Sequence, residues 1–330
     1  NPGDRTSADP GRVPERFYAN FRRMSHRHAA KPRRSATDPG TEALPADAAK
    51  RVAPDWDRRY RVPRERARRR PREVFVSKKL TFEHPLNERV RSFLRIEHLF
   101  RKIAHFQPQD AHWATRAAVE GLLDVVAITS RTDIKSELLK ELDRNSATLN
   151  RIRRQPGVDL ATLGTILEDL QRAAAGLHAL SGQVGQSVRE DEFLKSVAQR
   201  SSIPGGTCSF DLPQYHHWLT QPAEARQRQL GAWMRGLQPV SEAIDLVLSL
   251  ARSSATPRQV TATDGFFQEA LDVQAPAQLV RITLNGSQAL YPEISGHKNR
   301  FSIRFLSCGQ VERPTQCRED VPFILTCCVF

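Results

Sequence analysis

Apolar residues recur at helical spacing through most of the chain between residues 86 and 254. One stripe runs from Leu86 to Phe106, and Pro85 suits the first turn of that helix. The run from Ala114 to Val126 predicts a second helix, and Asp133 can cap a third, which ends before the break at Pro156-Gly157. Further helices are predicted after a cap at Asp159, near 187–199, near Tyr215–Leu219 and through 237–240 into SEAIDLVLSLAR.

Beyond about residue 255 the pattern changes to short runs that are rich in β-branched residues. Gly, Pro and Asn separate these runs, which is typical of strands joined by turns. The predicted strands are RQVTATD, AQLVRITLN, RFSIRFLS and FILTCCV. Helices followed by strands predict an α+β chain, with an N-terminal α-helical domain over 76–254 and a smaller antiparallel β-strand domain over 255–330.

Residues 1–75 differ from the rest of the chain in both charge and pattern. Residues 1–79 hold 22 Lys/Arg against 10 Asp/Glu, which accounts for nearly all of the net charge of +13. Apolar residues there recur at neither a helical nor a strand period, so we expect residues 1–75 to form a disordered, basic, Arg/Pro-rich tail. The tail lacks the apolar segment of a secretion signal. An alternative is that translation starts at Val76, from a GUG codon, so that the native protein lacks the tail.

The Arg-rich run RRYRVPRERARRRPRE suggests one candidate function, that of a nucleic-acid-associated adaptor. The run has little aromatic interleaving and no predicted fold around it, so it supports weak, salt-sensitive binding of polyanions rather than specific nucleic-acid recognition. Residues 80–330 are nearly neutral, with 28 Lys/Arg against 27 Asp/Glu. No run of eighteen apolar residues occurs, so the sequence predicts no membrane span.

The sequence gives little support for catalytic or metal chemistry. The five cysteines are odd in number and none forms a C-x-x-C pair, as expected for reduced cytosolic thiols. A hydrolase would need Cys208 to be activated by His216, and nothing in the sequence fixes that geometry. A zinc site would need His216, His217 and His297 to converge with a cysteine, and no pair has the usual spacing. We therefore expect no catalytic residue, metal or cofactor.

The stretch HKNRFSIRF carries a basic strand. Its apolar residues alternate with Arg300, Ser302 and Arg304, which predicts one packed face and one charged face. Arginines that share a face of a strand repel each other unless an anion binds there, and Lys298 lies beside them. Two interpretations stay open from the pattern alone: an ordinary half-exposed strand, whose outer face is polar in any case, and a peptide- or anion-binding surface.

Four long segments of the chain resemble one family. They are FEHPLNERVRSFLRIEHLF (82–100), SELLKELDR (136–144), SIPGGTCSFDLP (202–213) and LYPEISGHKNRFSIRF (290–305). In content, order and spacing they resemble ZapD, a family of bacterial cell-division proteins. The resemblance extends from about Leu80 to near the C-terminus.

This resemblance implies a fold and a function. ZapD-like proteins have an α-helical domain followed by a β-strand domain, are non-enzymatic, and form homodimers in the cytoplasm at the midcell division site. They bind the C-terminal tail of FtsZ, the tubulin-like GTPase, and bundle its filaments into the Z-ring. A two-fold dimer presents two equal sites, so it can bridge two filaments.

The resemblance also implies a set of binding residues. The FtsZ tail mixes acidic and apolar residues and ends in a carboxylate, which an arginine guanidinium can hold in a bidentate pair. Two arginines of the basic strand match the family's binding pocket, and two arginines of the helical part match basic positions linked to it. The residues so assigned are Arg95, Arg131, His216, Lys298, Arg300 and Arg304.

Overall fold

A computed structural model describes residues 79–154, 158–272, 276–286, 289–297, 299–307 and 313–329. The expectations for the tail 1–75 and for Lys298 lie outside these residues. Helices occupy the first part of the described chain and antiparallel strands the last part, which confirms the predicted α+β fold class. One strand, β1 (Lys79–Pro85), precedes the helices and was not predicted from the sequence pattern.

Nine α-helices follow β1 in the described part of the chain. Their bounds are α1 Glu88–Phe106, α2 His112–Thr129, α3 Ile134–Ile152, α4 Leu160–Ala179, α5 Gln186–Glu190, α6 Glu192–Ser201, α7 Pro213–Leu219, α8 Ala223–Met234 and α9 Gln238–Ser253. Asp133 and Asp159 cap α3 and α4 as predicted, because each carboxylate accepts a backbone N–H from the first turn of its helix. A single 3₁₀ turn, Arg235–Leu237, joins α8 to α9.

Two helix boundaries differ from the sequence predictions. Helix α1 begins at Glu88 rather than at Leu86, because the Asn87 side chain accepts the backbone N–H three residues further on and so caps the helix. Pro85, predicted for the first helical turn, instead ends β1. The single helix predicted near 187–199 is two helices, because Asp191 has an extended backbone and caps α6.

The strands form two antiparallel sheets. The remaining strands are β2 Arg258–Ala262, β3 Phe266–Ala270, β4 Leu279–Asn285, β5 Leu290–His297, β6 Arg300–Ser307, β7 Thr315–Gln316 and β8 Val321–Cys328. The first sheet has the order β1-β4-β8-β2, and the second has the order β3-β6-β5, with β7 paired to the end of β6. The segment before the helices is therefore part of the same sheet as the C-terminal strands.

The first sheet packs on both of its faces. One face contributes Ile282 and Leu325 to a buried cluster that also contains Phe301, Ile303 and Phe305 of the second sheet. The other face contributes Leu279 and Cys328 to the core of the helices. The first sheet thus lies between the helical layer and the second sheet, whose outer face is exposed.

The alternation predicted for the basic strand is confirmed in β6. Phe301, Ile303 and Phe305 are buried, whereas Arg300 and Arg304 are exposed. Strand β6 is paired on both sides, to β3 and to β5, so its outward residues stand in the middle of a sheet face. The buried face fixes which side chains point outward, because a shift of one residue would exchange the two faces.

Candidate functional site

A cleft of about 900 Å³ lies where α1, the end of α2 and β1 meet. Helix α1 contributes residues 91, 95 and 98, whose spacing places them on one face, and the end of α2 contributes 124, 127 and 128, followed by Arg131 just beyond the helix. Strand β1 supplies Glu83, His84 and Pro85 as the third wall. The volume is within the range of pockets that hold small ligands or short peptide segments.

The cleft combines guanidinium groups with apolar walls. Arg91, Arg95 and Arg131 line it together with the apolar side chains of Leu94, Leu99 and Ile128. Arg91 forms an ion pair with Glu88, with 2.6 Å between Nη1 and Oε1. Within the described residues, no ion pair or side-chain hydrogen bond engages Arg95 or Arg131, and both are exposed. These two guanidinium groups are therefore available to a carboxylate.

Glu83 is the acidic group on the β1 wall of this cleft, and arginines from two other elements pair with it. Arg252 of α9 donates to its carboxylate from Nε and Nη2, both at 2.8 Å, and Arg281 of β4 donates from Nε at 2.8 Å. Burial raises the pKa of Glu83, but the hydrogen bonds and charges of Arg252 and Arg281 outweigh it and leave that pKa below its usual value. Glu83 is therefore ionised and neutralised at neutral pH.

His84 forms part of the same wall. Burial, with a further contribution from the charge of Arg91, lowers the pKa of its imidazole below the ordinary value. The ring is consequently neutral near pH 7 and able to donate one hydrogen bond. His98 and Asp124 complete the titratable groups that line the cleft.

The second sheet carries a separate basic surface. Arg300 lines a shallow pocket of about 310 Å³ together with Gln268, Ser295 and Ser302. Arg304 lies opposite Glu293 of β5 and Phe266 of β3 on the same outward face, and it does not line that pocket. The two arginines are four positions apart, with Ser302 between them on the same face, so their Cα atoms are about 13 Å apart rather than the ~7 Å of adjacent positions on one face.

Gly296 connects the two regions. It lines the pocket of Arg300, and a Cβ built on it would lie 3.4 Å from Cδ2 of His84 and 2.5 Å from Cδ2 of Leu86. His84 in turn lines the cleft. The absence of a side chain at residue 296 therefore allows the end of the β5–β6 hairpin to pack directly against the wall of the cleft.

The six residues assigned from the sequence fall in three places. Arg95 and Arg131 share the cleft, whereas Arg300 and Arg304 stand on the outer face of the second sheet. His216 is exposed on α7 and lines neither region. Three residues of the cleft, Arg91, His84 and His98, were not predicted from the sequence. Arg91 and His98 could have been found, because they lie on the same predicted helix face as Arg95.

The alternative chemistries find no support in the described residues. The Cys208 thiol donates to Asp211 Oδ2 at 3.3 Å rather than to a histidine. Within the part of the chain that the structure describes, no cluster of three or more His, Cys, Asp or Glu side chains is arranged to hold a metal ion. Burial raises the pKa of Cys327 to about 11 and that of Cys328 to about 12, so both are protonated thiols at neutral pH. No described helix has the length and apolar character needed to span a membrane.

Comparison with known proteins identifies close relatives. The chain matches the model of the ZapD family, described as a cell division protein, over residues 94–304. It is similar to the cell division protein ZapD of Methylococcus capsulatus, with 46% identity over 254 residues that cover 77% of this chain and 100% of the relative. The cell division proteins ZapD of Aromatoleum aromaticum and Cronobacter sakazakii are 38% and 40% identical, covering 76% and 75% of this chain and 97% and 98% of their own lengths.

Proposed function

Since this chain belongs to the ZapD family of cell division proteins, we propose that it is a non-enzymatic factor that binds the C-terminal tail of FtsZ. Binding of two tails by a homodimer would cross-link FtsZ filaments and promote their bundling into the Z-ring at midcell, in the cytoplasm. The cleft between α1, α2 and β1 is the observation that supports this proposal most directly. It offers unpaired guanidinium groups beside apolar walls, which is the combination that a short acidic and apolar peptide requires.

The peptide is proposed to anchor in the cleft and to continue toward the second sheet. Arg95 and Arg131 hold a carboxylate in the cleft, while Leu94, Leu99 and Ile128 pack against the apolar residues of the peptide. The β5–β6 hairpin borders the cleft at Gly296, so a peptide that extends beyond the cleft comes close to Arg300. Lys298 and His216 enter the proposal through the family resemblance alone.

Charge reversal at Arg300 and Arg304 tests the contribution of the second sheet. Because both side chains are exposed and lie outside the cleft, we expect the double variant Arg300→Glu/Arg304→Glu to bind FtsZ about tenfold more weakly, in line with the modest value of rim charges. Co-sedimentation with polymerised FtsZ measures this effect. The matched control is Arg313→Glu/Arg318→Glu, which reverses two exposed arginines elsewhere in the same strand domain.

Two outcomes would contradict the role of the second sheet. Co-sedimentation equal to that of the unmodified chain would remove Arg300 and Arg304 from the site. An equal loss in the Arg313→Glu/Arg318→Glu control would show that only net charge matters. FtsZ that lacks its C-terminal tail should not co-sediment with any of the variants.

Deletion of residues 1–75 separates the proposed function from that of a nucleic-acid-associated adaptor. The proposed peptide site lies wholly in residues 83–304, so we expect turbidity of FtsZ mixtures to rise as strongly with the shortened chain as with the full chain. Binding of a random DNA duplex at low salt should disappear, because the Arg-rich run is removed. Loss of bundling with retention of DNA binding would contradict both expectations.

A further inference from the structure

Arg252 contacts a residue of the cleft and joins two carboxylates. It is not one of the residues that line the cleft, yet its guanidinium donates to both oxygens of Glu83 and to both oxygens of Glu97. The four distances fall between 2.6 and 2.8 Å. One side chain of α9 thus joins β1 to α1, two of the elements that line the cleft.

The surrounding charges show how Glu83 is neutralised. Arg281 of the neighbouring strand β4 donates a hydrogen bond to Glu83, with 2.8 Å between its Nε and Oε1. Glu97 receives Arg101 from the next turn of α1, with Nη2 at 2.7 Å. Asp245 of α9 is a further acidic group that interacts electrostatically with this network, namely with Glu97, Arg101 and Arg252. Glu83 has two direct cationic partners, and one of them is Arg252.

We propose that Arg252 is a specificity-determining residue of the cleft, because it neutralises Glu83 and so leaves the guanidinium groups that line the cleft free for an acidic peptide. This inference rests on the proposed function of the cleft as an acidic-peptide site. Without Arg252, the Glu83 carboxylate keeps Arg281 as its one ion-pair partner among the described residues and becomes an internal anion in the cleft that Arg91 and Arg95 also line. It then competes with the carboxylates of the peptide for those arginines.

Glu83→Gln is the decisive variant because it keeps the shape of the side chain and removes its charge. We expect it to bind an acidic peptide with the FtsZ C-terminal sequence about threefold more tightly than the unmodified chain, since the positive charges of Arg252 and Arg281 are then no longer compensated by the Glu83 carboxylate. Arg252→Gln should bind the peptide at least about tenfold more weakly. The double variant Glu83→Gln/Arg252→Gln should return to within about threefold of the unmodified chain, because the competing anion is absent.

Fluorescence anisotropy with the labelled peptide and the full chain provides the measurement. Arg101→Gln is the matched control, since it removes the other cation from Glu97 without touching Glu83, and its affinity should not change. A second peptide, with its Asp and Glu replaced by Asn and Gln, should show none of these differences. A purely structural role of Arg252 would weaken both peptides alike.

The outcomes separate this inference from the proposed function. Failure of the unmodified chain to bind the acidic peptide would overturn the proposed function of the cleft. Binding by the unmodified chain, with weaker binding by Glu83→Gln or no recovery in the double variant, would overturn the role assigned to Arg252 alone. If Arg252→Gln does not fold, the Glu83→Gln variant still decides the question.

Discussion

Replacement of both Arg95 and Arg131 by glutamate is expected to abolish binding of the FtsZ tail. Both side chains line the same cleft, and within the described residues neither forms an ion pair that the substitution would break. Reversal of two charges in one cleft turns attraction of a carboxylate into repulsion, so we expect the dissociation constant to rise about 100-fold or more. Peptide anisotropy and co-sedimentation with FtsZ polymers both measure this loss.

The control for this experiment is Arg151→Glu/Arg153→Glu. These two arginines are equally exposed, but they lie at the end of α3, away from the residues that line the cleft. We expect the control variant to bind the peptide with the affinity of the unmodified chain. Binding by the unmodified chain should weaken as the salt concentration rises, because exposed charges are screened beyond about 10 Å at 0.1 M ionic strength. Normal affinity of Arg95→Glu/Arg131→Glu would exclude the cleft as the peptide site.

Phe301→Ala is expected to have a large effect on the stability of the chain. Phe301 is buried between the sheets, where its ring lies near that of Phe267 and beside Gly296. Its loss removes apolar contacts and leaves a cavity, which lowers the free energy of unfolding by about 3–5 kcal/mol. Urea unfolding followed by circular dichroism measures the change.

Ser302→Ala, at the next residue of the same strand, is the matched control for stability. Ser302 is on the outward face, so its truncation should change the free energy of unfolding by no more than about 0.5 kcal/mol. Equal midpoints for Phe301→Ala and the unmodified chain would contradict the packing role of the inner face. Such a result would mean that the second sheet unfolds independently of the transition that is observed.

The helices of this chain were predictable because their stability comes from amphipathic packing. The apolar stripe of α1 and the caps at Asp133 and Asp159 are local signals, and the structure contains all three. The prediction failed where a single residue changed the backbone direction. Asp191 divides one predicted helix into two because its carboxylate satisfies the first turn of α6.

Apart from the two-residue strand β7, three strands were not predicted from the sequence, namely β1, β3 and β5. Strand β1 has no run of buried residues: it lies at the edge of its sheet, its first three residues are exposed and its last four are half-buried. Strand β5 contains Pro292 and Gly296, which are rare in central strands but tolerated here because β5 pairs only with β6 in its sheet. Strand β3 was detectable from the sequence, since the Asp264-Gly265 pair before it favours a two-residue hairpin turn. The structure has that turn, with φ values of 50° and 66° at these residues.

The site was only partly predictable from the sequence. Resemblance pointed to Arg95 and Arg131, and both line one cleft, although they are 36 positions apart in the sequence. The β1 wall with Glu83 and His84 depends on the pairing of β1 with β4, a contact between distant parts of the chain that no local pattern shows. The neutralisation of Glu83 by Arg252 is likewise a tertiary contact.

The pairing of β1 with β4 has a consequence for folding during synthesis. Lys79 pairs with Asn285, so the ribosome must make every helix before the partner of β1 exists. The helical core can pack as it emerges, but β1 has no sheet to join until β4 leaves the exit tunnel. Long-range pairing of this kind slows folding, because the chain must close a large loop first. The β1 wall of the cleft is therefore assembled late, so a nascent chain released before β4 carries the helices without a complete binding site.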